Sequence, residues 1–367
     1  MEGSPGDPLP GLTDSELQRF WAGHAEFNRA FSPEEGLGPL FNQTECSSCH
    51  DLPTSGGHGA EPVRKMSRYD EIDGCSLLPE LGGDLLQSSL TPLARAAGLE
   101  PERFSAEANG LTELMAPALY GLGLVAAIPG EAIAARADPE DADGDGISGR
   151  IGVTEAGGLG RFGMKAVHGT LESFIEGATR GELGLTTPGL PDEERPAGQP
   201  LPPGADPSAD PEVDEAFLEG LTDYVRFLAV PMPAIPESRE DRASVARGLQ
   251  LFDAVGCSWC HVPTWTTGDH ASEALAHRRF RVYSDFLLHD MGPALGDICA
   301  PGSTPSEWRT APLVGLSHRS VFLHDGRAQN LTAAIQFHGG EADGARERFL
   351  GLEESAKGDL LRFLESL

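Results

Sequence analysis

Apolar positions fall at helical spacing in a few well-separated stretches. From Thr13 to Phe31, the residues Leu17, Phe20, Trp21, His24, Phe27 and Phe31 share one face. Thr13 and Glu16 have the spacing of a capping box, which predicts a helix start there. His24 on that face reads as a packed core histidine. A second stripe, Phe217, Leu218, Leu221, Tyr224, Val225 and Leu228, predicts a helix beginning near Asp210 with Pro211 in its first position and ending at Pro231 and Pro233. A third, Val245, Leu249, Phe252 and Val255, runs directly into Cys257. A fourth, Leu360, Leu361, Phe363, Leu364 and Leu367, closes the chain from about Glu353. Between them the pattern is weaker. Residues Leu52 to Leu111 show little periodicity, with short helices predicted around Leu81 to Gln87 and Leu90 to Ala97. Ala116 to Ile128 is apolar and Gly-rich, and Thr186 to Asp210 reads as a Pro/Gly-rich surface loop or linker. Alternating strand-like runs are scarce, so the expected fold is mainly α.

Composition bounds the possibilities further. At about 150 residues per domain, 367 residues predict two units. The 46 glycines and 29 prolines predict many loops. No apolar run is long enough to span a membrane. The net charge of −30 leaves no basic face for nucleic acid or anionic lipid, and suits a basic protein partner.

Cysteine placement carries the chemistry. Four of the six cysteines lie in two copies of one motif, Cys46-Ser47-Ser48-Cys49-His50 and Cys257-Ser258-Trp259-Cys260-His261. C-x-x-C-H is the attachment signature of c-type haem. The thiols add across the vinyl groups, and the histidine supplies the proximal iron ligand. A shared zinc site would need the two distant copies brought together by the fold. The reading is therefore two covalently bound haem c groups, with His50 and His261 proximal. Covalent haem attachment takes place in exported compartments. The chain opens Met1-Glu2-Gly3-Ser4-Pro5 without a basic and apolar leader, so the expectation is a mature periplasmic or otherwise exported protein whose signal peptide has been removed. Cys75 and Cys299 remain, either as a disulfide between the two halves, the preferred reading, or as separate buried thiols.

A helix leading into the haem cysteines and another at the C-terminus match the layout of a cytochrome c domain. The expected organisation is two cytochrome c-like domains: an enlarged N-terminal one over 12–235 with the first haem, and a C-terminal one over 236–367 with the second. An internal echo supports this, Ala116-Pro117-Ala118-Leu119-Tyr120-Gly121-Leu122 against Ala311-Pro312-Leu313-Val314-Gly315-Leu316.

Several stretches then resemble a known family. They are Gly36 to Asn42 with the first haem motif, Leu119 to Leu124, Asp141 to Arg150, Gly160-Arg161-Phe162-Gly163, Tyr283 to Gly292, Phe322 to Ala328 and His338 to Ala342. As a set they resemble the di-haem oxidoreductases, also called thiol oxidoreductases, which are relatives of the bacterial di-haem cytochrome c peroxidases and MauG-type enzymes. The resemblance implies peroxide or related redox chemistry. The thiol label has little support, since haem would consume four of the six cysteines.

The distal ligand decides what each haem does, because an iron with two strong ligands transfers electrons and one with an open position can bind peroxide. For the second haem His338 is the first choice, where relatives place a Met or Tyr after the His-Asp-Gly segment. Met291 is the runner-up and His324 third, although His324 and His289 read more naturally as hydrogen-bonding residues. For the first haem, His58, Met115, Met164 and His168 are candidates, with His58 read more naturally as an exposed loop residue. Glu131 is the candidate acid–base for peroxide cleavage, and Gln87 the candidate hydrogen-bonding partner. Asp141, Asp143 and Asp145, followed by Gly146, form the first half of a calcium loop, and the relatives hold calcium between their haems. The alternative for that loop is an acidic turn held by Asx hydrogen bonds. Trp259 is expected to pack on its porphyrin.

The resulting expectation is a peroxidase-like enzyme. It reduces hydrogen peroxide at the N-terminal haem with electrons relayed through the C-terminal one. The donor is a small cytochrome or cupredoxin, or an oxidisable protein side chain as in the MauG relatives. The alternative is a non-enzymatic carrier with both irons six-coordinate. A homodimer is plausible by analogy alone.

Overall fold

The computed structural model describes all 367 residues. The Thr13 capping box forms: the Thr13 N–H donates to Glu16 at 2.8 Å and the Glu16 N–H donates to the Thr13 hydroxyl at 3.3 Å. These bonds start helix α1 (Asp14–Phe27), whose last turn carries His24 packed against Trp21 and Tyr224. The other long helices are α2 (Leu171–Leu183), α3 (Glu215–Arg226), α4 (Arg239–Ala254) and α5 (Glu354–Leu364). Helix α3 starts later than its stripe suggested, because Asp214 takes the N-cap and accepts from the Phe217 N–H.

The helices pack as two crossing pairs, α1 on α3 and α4 on α5. Each crossing is made by a glycine. A Cβ on Gly23 would lie 2.0 Å from the Gly220 carbonyl oxygen, and one on Gly248 would lie 2.1 Å from that of Asp359. Aromatic rings fill the space beside each contact: Phe20 against Tyr224 with centroids 5.2 Å apart, and Phe252 against Phe363 at 5.4 Å.

The expectation of a mainly α fold is corrected. Helix covers 32% of the chain and strand 15%, with ten helices and fourteen strands, most of two or three residues. The largest sheet lies in the aperiodic region. Its long strand β1 (Pro62–Asp70) pairs antiparallel with β2 (Gly74–Ser76), β3 (Leu85–Leu86) and β4 (Gly110–Met115), in register from Pro62 opposite Met115 to Ser67 opposite Gly110. The helix expected over Leu81 to Gln87 is instead strand β3. Sequence alternation failed there because β1 turns Val63 and Lys65 toward a cavity, while Met66 joins a small core with Leu78 and Leu86.

The main core contains 32 residues and draws Val262, Trp265, Phe280 and Leu287 together with the α1, α2 and α3 faces. A second core of nine residues surrounds Phe252, Tyr283 and Phe363. A disulfide joins Cys75 on β2 to Cys299. No helix is long and apolar enough to cross a membrane.

Candidate functional site

Both C-x-x-C-H motifs are short 3₁₀ turns, Cys46–Ser48 and Cys257–Trp259, and both open into one cavity of about 1530 Å³. None of the four motif cysteines is in a disulfide, and burial pushes the thiols of Cys46, Cys49 and Cys257 up to about 12. The two histidines are held alike. His50 Nδ1 lies 3.1 Å from the Gly57 carbonyl oxygen, and His261 Nδ1 lies 3.0 Å from that of Tyr283. An imidazole donating from Nδ1 keeps the Nε2 lone pair for a metal. Burial lowers both pKa values, that of His261 to about 4, so both rings are neutral.

His338 shares this anchoring, with Nδ1 2.8 Å from the Ala334 carbonyl oxygen and a pKa lowered by burial. Its ring faces His261 with centroids 6.4 Å apart and planes 46° from parallel. Two imidazoles bound through Nε2 to opposite sides of one metal, at roughly 2.0–2.1 Å each, put their centroids about 6.3 Å apart. The first site differs. The aromatic neighbour of His50 is Phe27, at 6.2 Å, with no histidine facing it at the His261–His338 spacing.

The remaining sequence candidates separate clearly. Met291, Met115, Met164 and His168 all line the cavity. Met291 packs beside Trp308. His324 is stacked on Trp308 at 3.8 Å, and its Nε2 lies 2.7 Å from Asp297. His289 is bracketed by Asp285 at 2.9 Å and Glu341 at 2.6 Å, which together hold it charged against its burial, up to about 12. Both nitrogens of His289 are thus engaged by carboxylates, whereas in His324 it is Nε2 that the carboxylate takes. His58 is not an exposed loop residue. It is 4% exposed, with neither ring nitrogen partnered, and it lies outside the cavity lining. Trp259 is half-exposed with Arg348 over its ring.

The acid–base expectation needs correction. Glu131 is exposed in the first turn of a short helix, Gly130–Ala134, and does not reach the cavity. Gln87 does line it, with Nε2 donating to the Gly181 carbonyl at 3.0 Å. Beside it stands Glu182 on α2, whose carboxyl burial pushes up while Asn42 Nδ2 donates to it at 2.9 Å. Lys65 and Asp84, paired at 2.8 Å, complete this polar wall. The signal for Glu182 was present in the sequence. Ile175, Ala178, Thr179 and Glu182 share one helical face, and all four line the cavity. A carboxylate on such a stripe needs a reason.

In the acidic loop, carboxylate oxygens of Asp138, Asp141 and Asp143 lie within 4.8 Å of one another. Asp145 stands outside this group, and its Oδ1 accepts from the Ile147 N–H at 2.8 Å.

Residues 110–367, well over half the chain, match the family model described as "Di-haem oxidoreductase, putative peroxidase". The chain belongs to this family. Its name implies two haem cofactors, and the chain carries a C-x-x-C-H motif on either side of residue 110. No curated protein matches. Among solved structures, hydrazine synthase from Kuenenia stuttgartiensis, pressurised with 20 bar xenon, aligns at 13% identity with a TM-score of 0.47, over 100% of this chain and 95% of that one.

Proposed function

We propose that this di-haem oxidoreductase reduces hydrogen peroxide at the N-terminal site with electrons passed through the C-terminal one. Cys46, Cys49 and His50 would hold one haem, the cysteines through thioethers and the histidine through its iron. Cys257, Cys260 and His261 would hold the other in the same way, with His338 as a second ligand to its iron. The observation that carries the reading is the asymmetry between the sites. His261 and His338 are spaced for one metal between them, and His50 has no such opposing ring. Four cysteines outside any disulfide, beside two Nδ1-anchored imidazoles on one cavity, also suit covalent haem.

When bound, the haem irons supply the redox chemistry. Each peroxide takes up two electrons and two protons and leaves as two waters. The protons are the chain's task. Glu182, whose carboxyl pKa burial raises, takes the acid–base role first given to Glu131, and Gln87 holds the oxidant by a hydrogen bond. Asp138, Asp141 and Asp143 are the proposed calcium ligands, Asp138 replacing Asp145 in the set. The acidic surface favours a basic electron donor, a small cytochrome or cupredoxin, met in an exported compartment.

Low-temperature EPR of the ferric protein, before and after peroxide, tests this. The expected result is one low-spin and one high-spin signal, with the high-spin signal lost on peroxide addition. Two low-spin signals inert to peroxide, in the ferric and half-reduced protein alike, would instead make the chain an electron carrier.

A further inference from the structure

Buried cations in a cavity wall report the charge of what the wall contacts. Arg309, Arg319, Arg346 and Arg348 are the arginines that line the cavity. Three of them have protein partners. Arg309 donates to the Gly163 and Thr310 carbonyls, Arg346 to the His338 carbonyl and Glu347, and Arg348 to the Val255 carbonyl. Lys165 is likewise spent on the carbonyls of Thr304, Pro305 and Glu307.

Arg319 stands apart. Its Nε is sealed from solvent without a partner, and its side chain donates no hydrogen bond to the protein. No carboxylate offsets the burial that lowers its pKa. It follows the turn Gly315–Leu316, where Leu316 packs into the second core, and it lies beside His58 on the loop of the first motif. Its neighbours His58 and His318 contribute no negative charge. A guanidinium left so, on the wall of a cavity, lacks the anion that would compensate its burial. Its planar fork matches a carboxylate in two-pronged fashion.

We infer that Arg319 anchors a propionate carboxylate of one of the two haems at the seam between the sites. This rests on the proposed haem attachment. The same segment takes part in the internal echo: Gly121 and Gly315 both adopt a left-handed conformation, at φ 70° and 71°, and each caps the following turn. Only the second copy then places an arginine at the cavity.

The test uses the holoprotein, with haem content, the midpoint potential of each haem and the propionate bending band in the resonance Raman spectrum as readouts. In Arg319→Gln, one midpoint falls, because removing a nearby positive charge favours the ferric state, and the other stays. Arg319→Lys keeps the charge and loses the fork, so its potentials remain near wild type while one propionate band shifts. Unmoved potentials in Arg319→Gln, with both haems present, would overturn the inference. So would an unmoved band in Arg319→Lys, which decides the matter if the glutamine variant fails to fold. Wild-type protein lacking covalent haem would sink the proposed function instead, a separable outcome.

Discussion

The His261 and His338 rings face each other across 6.4 Å, each tied through Nδ1 to a main-chain carbonyl. The tethers come from different parts of the chain, Tyr283 and Ala334, so the spacing is fixed by the fold rather than by a local turn. In His338→Ala the low-spin EPR signal of the second haem is expected to convert to high spin, and azide should then bind at both sites. Persistence of the low-spin signal would return Met291 to consideration.

Replacing Glu182 by Gln should slow peroxide turnover by about 10²–10⁴-fold, the usual contribution of a positioned acid–base. Glu131→Gln should leave turnover unchanged. Because burial raises the Glu182 pKa, the acidic limb of the wild-type rate profile should lie above the ordinary carboxylate range, and it should vanish in the Gln variant. Equal rates in Glu182→Gln and wild type would remove Glu182 from the mechanism.

What the sequence left hidden shows in this pair of glutamates. Glu131 stands next to an apolar, family-like stretch and looked central, yet the chain turns it out to solvent. Glu182 looked like one more acid in an acidic protein. Helices were legible wherever an apolar stripe met a cap, as at Thr13. The nearness of His338 to the second motif was legible as well, because His338 follows the His324 segment at a telling interval. The sheet was not, since β1 presents Lys65 to the cavity and pairs with β4 from beyond an irregular stretch, so no local alternation marks it. Cavity-lining strands lose the apolar-in, polar-out pattern that makes ordinary strands readable.

A pH dependence of stability follows from another acidic cluster. Glu193 is held up at about 9 by burial and by neighbouring Glu212, which burial itself holds at about 7. Both folded-state values exceed the ordinary carboxylate value. The unfolded chain therefore binds fewer protons between about pH 4.5 and 9, and stability falls as pH rises through that window. Thermal unfolding at steps from pH 5 to 9 should show Tm declining. Glu193→Gln should flatten the decline, and an unchanged slope in that variant would refute the assignment.

The glycine crossings carry a sharper stability cost. At Gly23 and Gly248 an added methyl meets backbone oxygen, which cannot rotate away. Gly23→Ala should part α1 from α3 and cost about 1–3 kcal/mol or more, as overpacking does. Urea unfolding measures it, and Gly358→Ala, which meets open space on α5, is the control. Equal midpoints for the two variants would show that the helices slide to make room.

The Cys75–Cys299 bond closes the chain into a loop that contains the second C-x-x-C-H motif and excludes the first. A single cut anywhere inside that loop, including the Pro/Gly-rich stretch between Thr186 and Asp210, leaves every residue covalently connected. When the cut falls between Cys75 and Cys257, each of the two resulting pieces bears one motif, and their covalent link is lost only when the disulfide is reduced. Between Cys75 and Cys299 the molecule is thus continuous by two independent routes, the peptide backbone and the sulfur bridge, and a nick in one does not break the link between its two motifs.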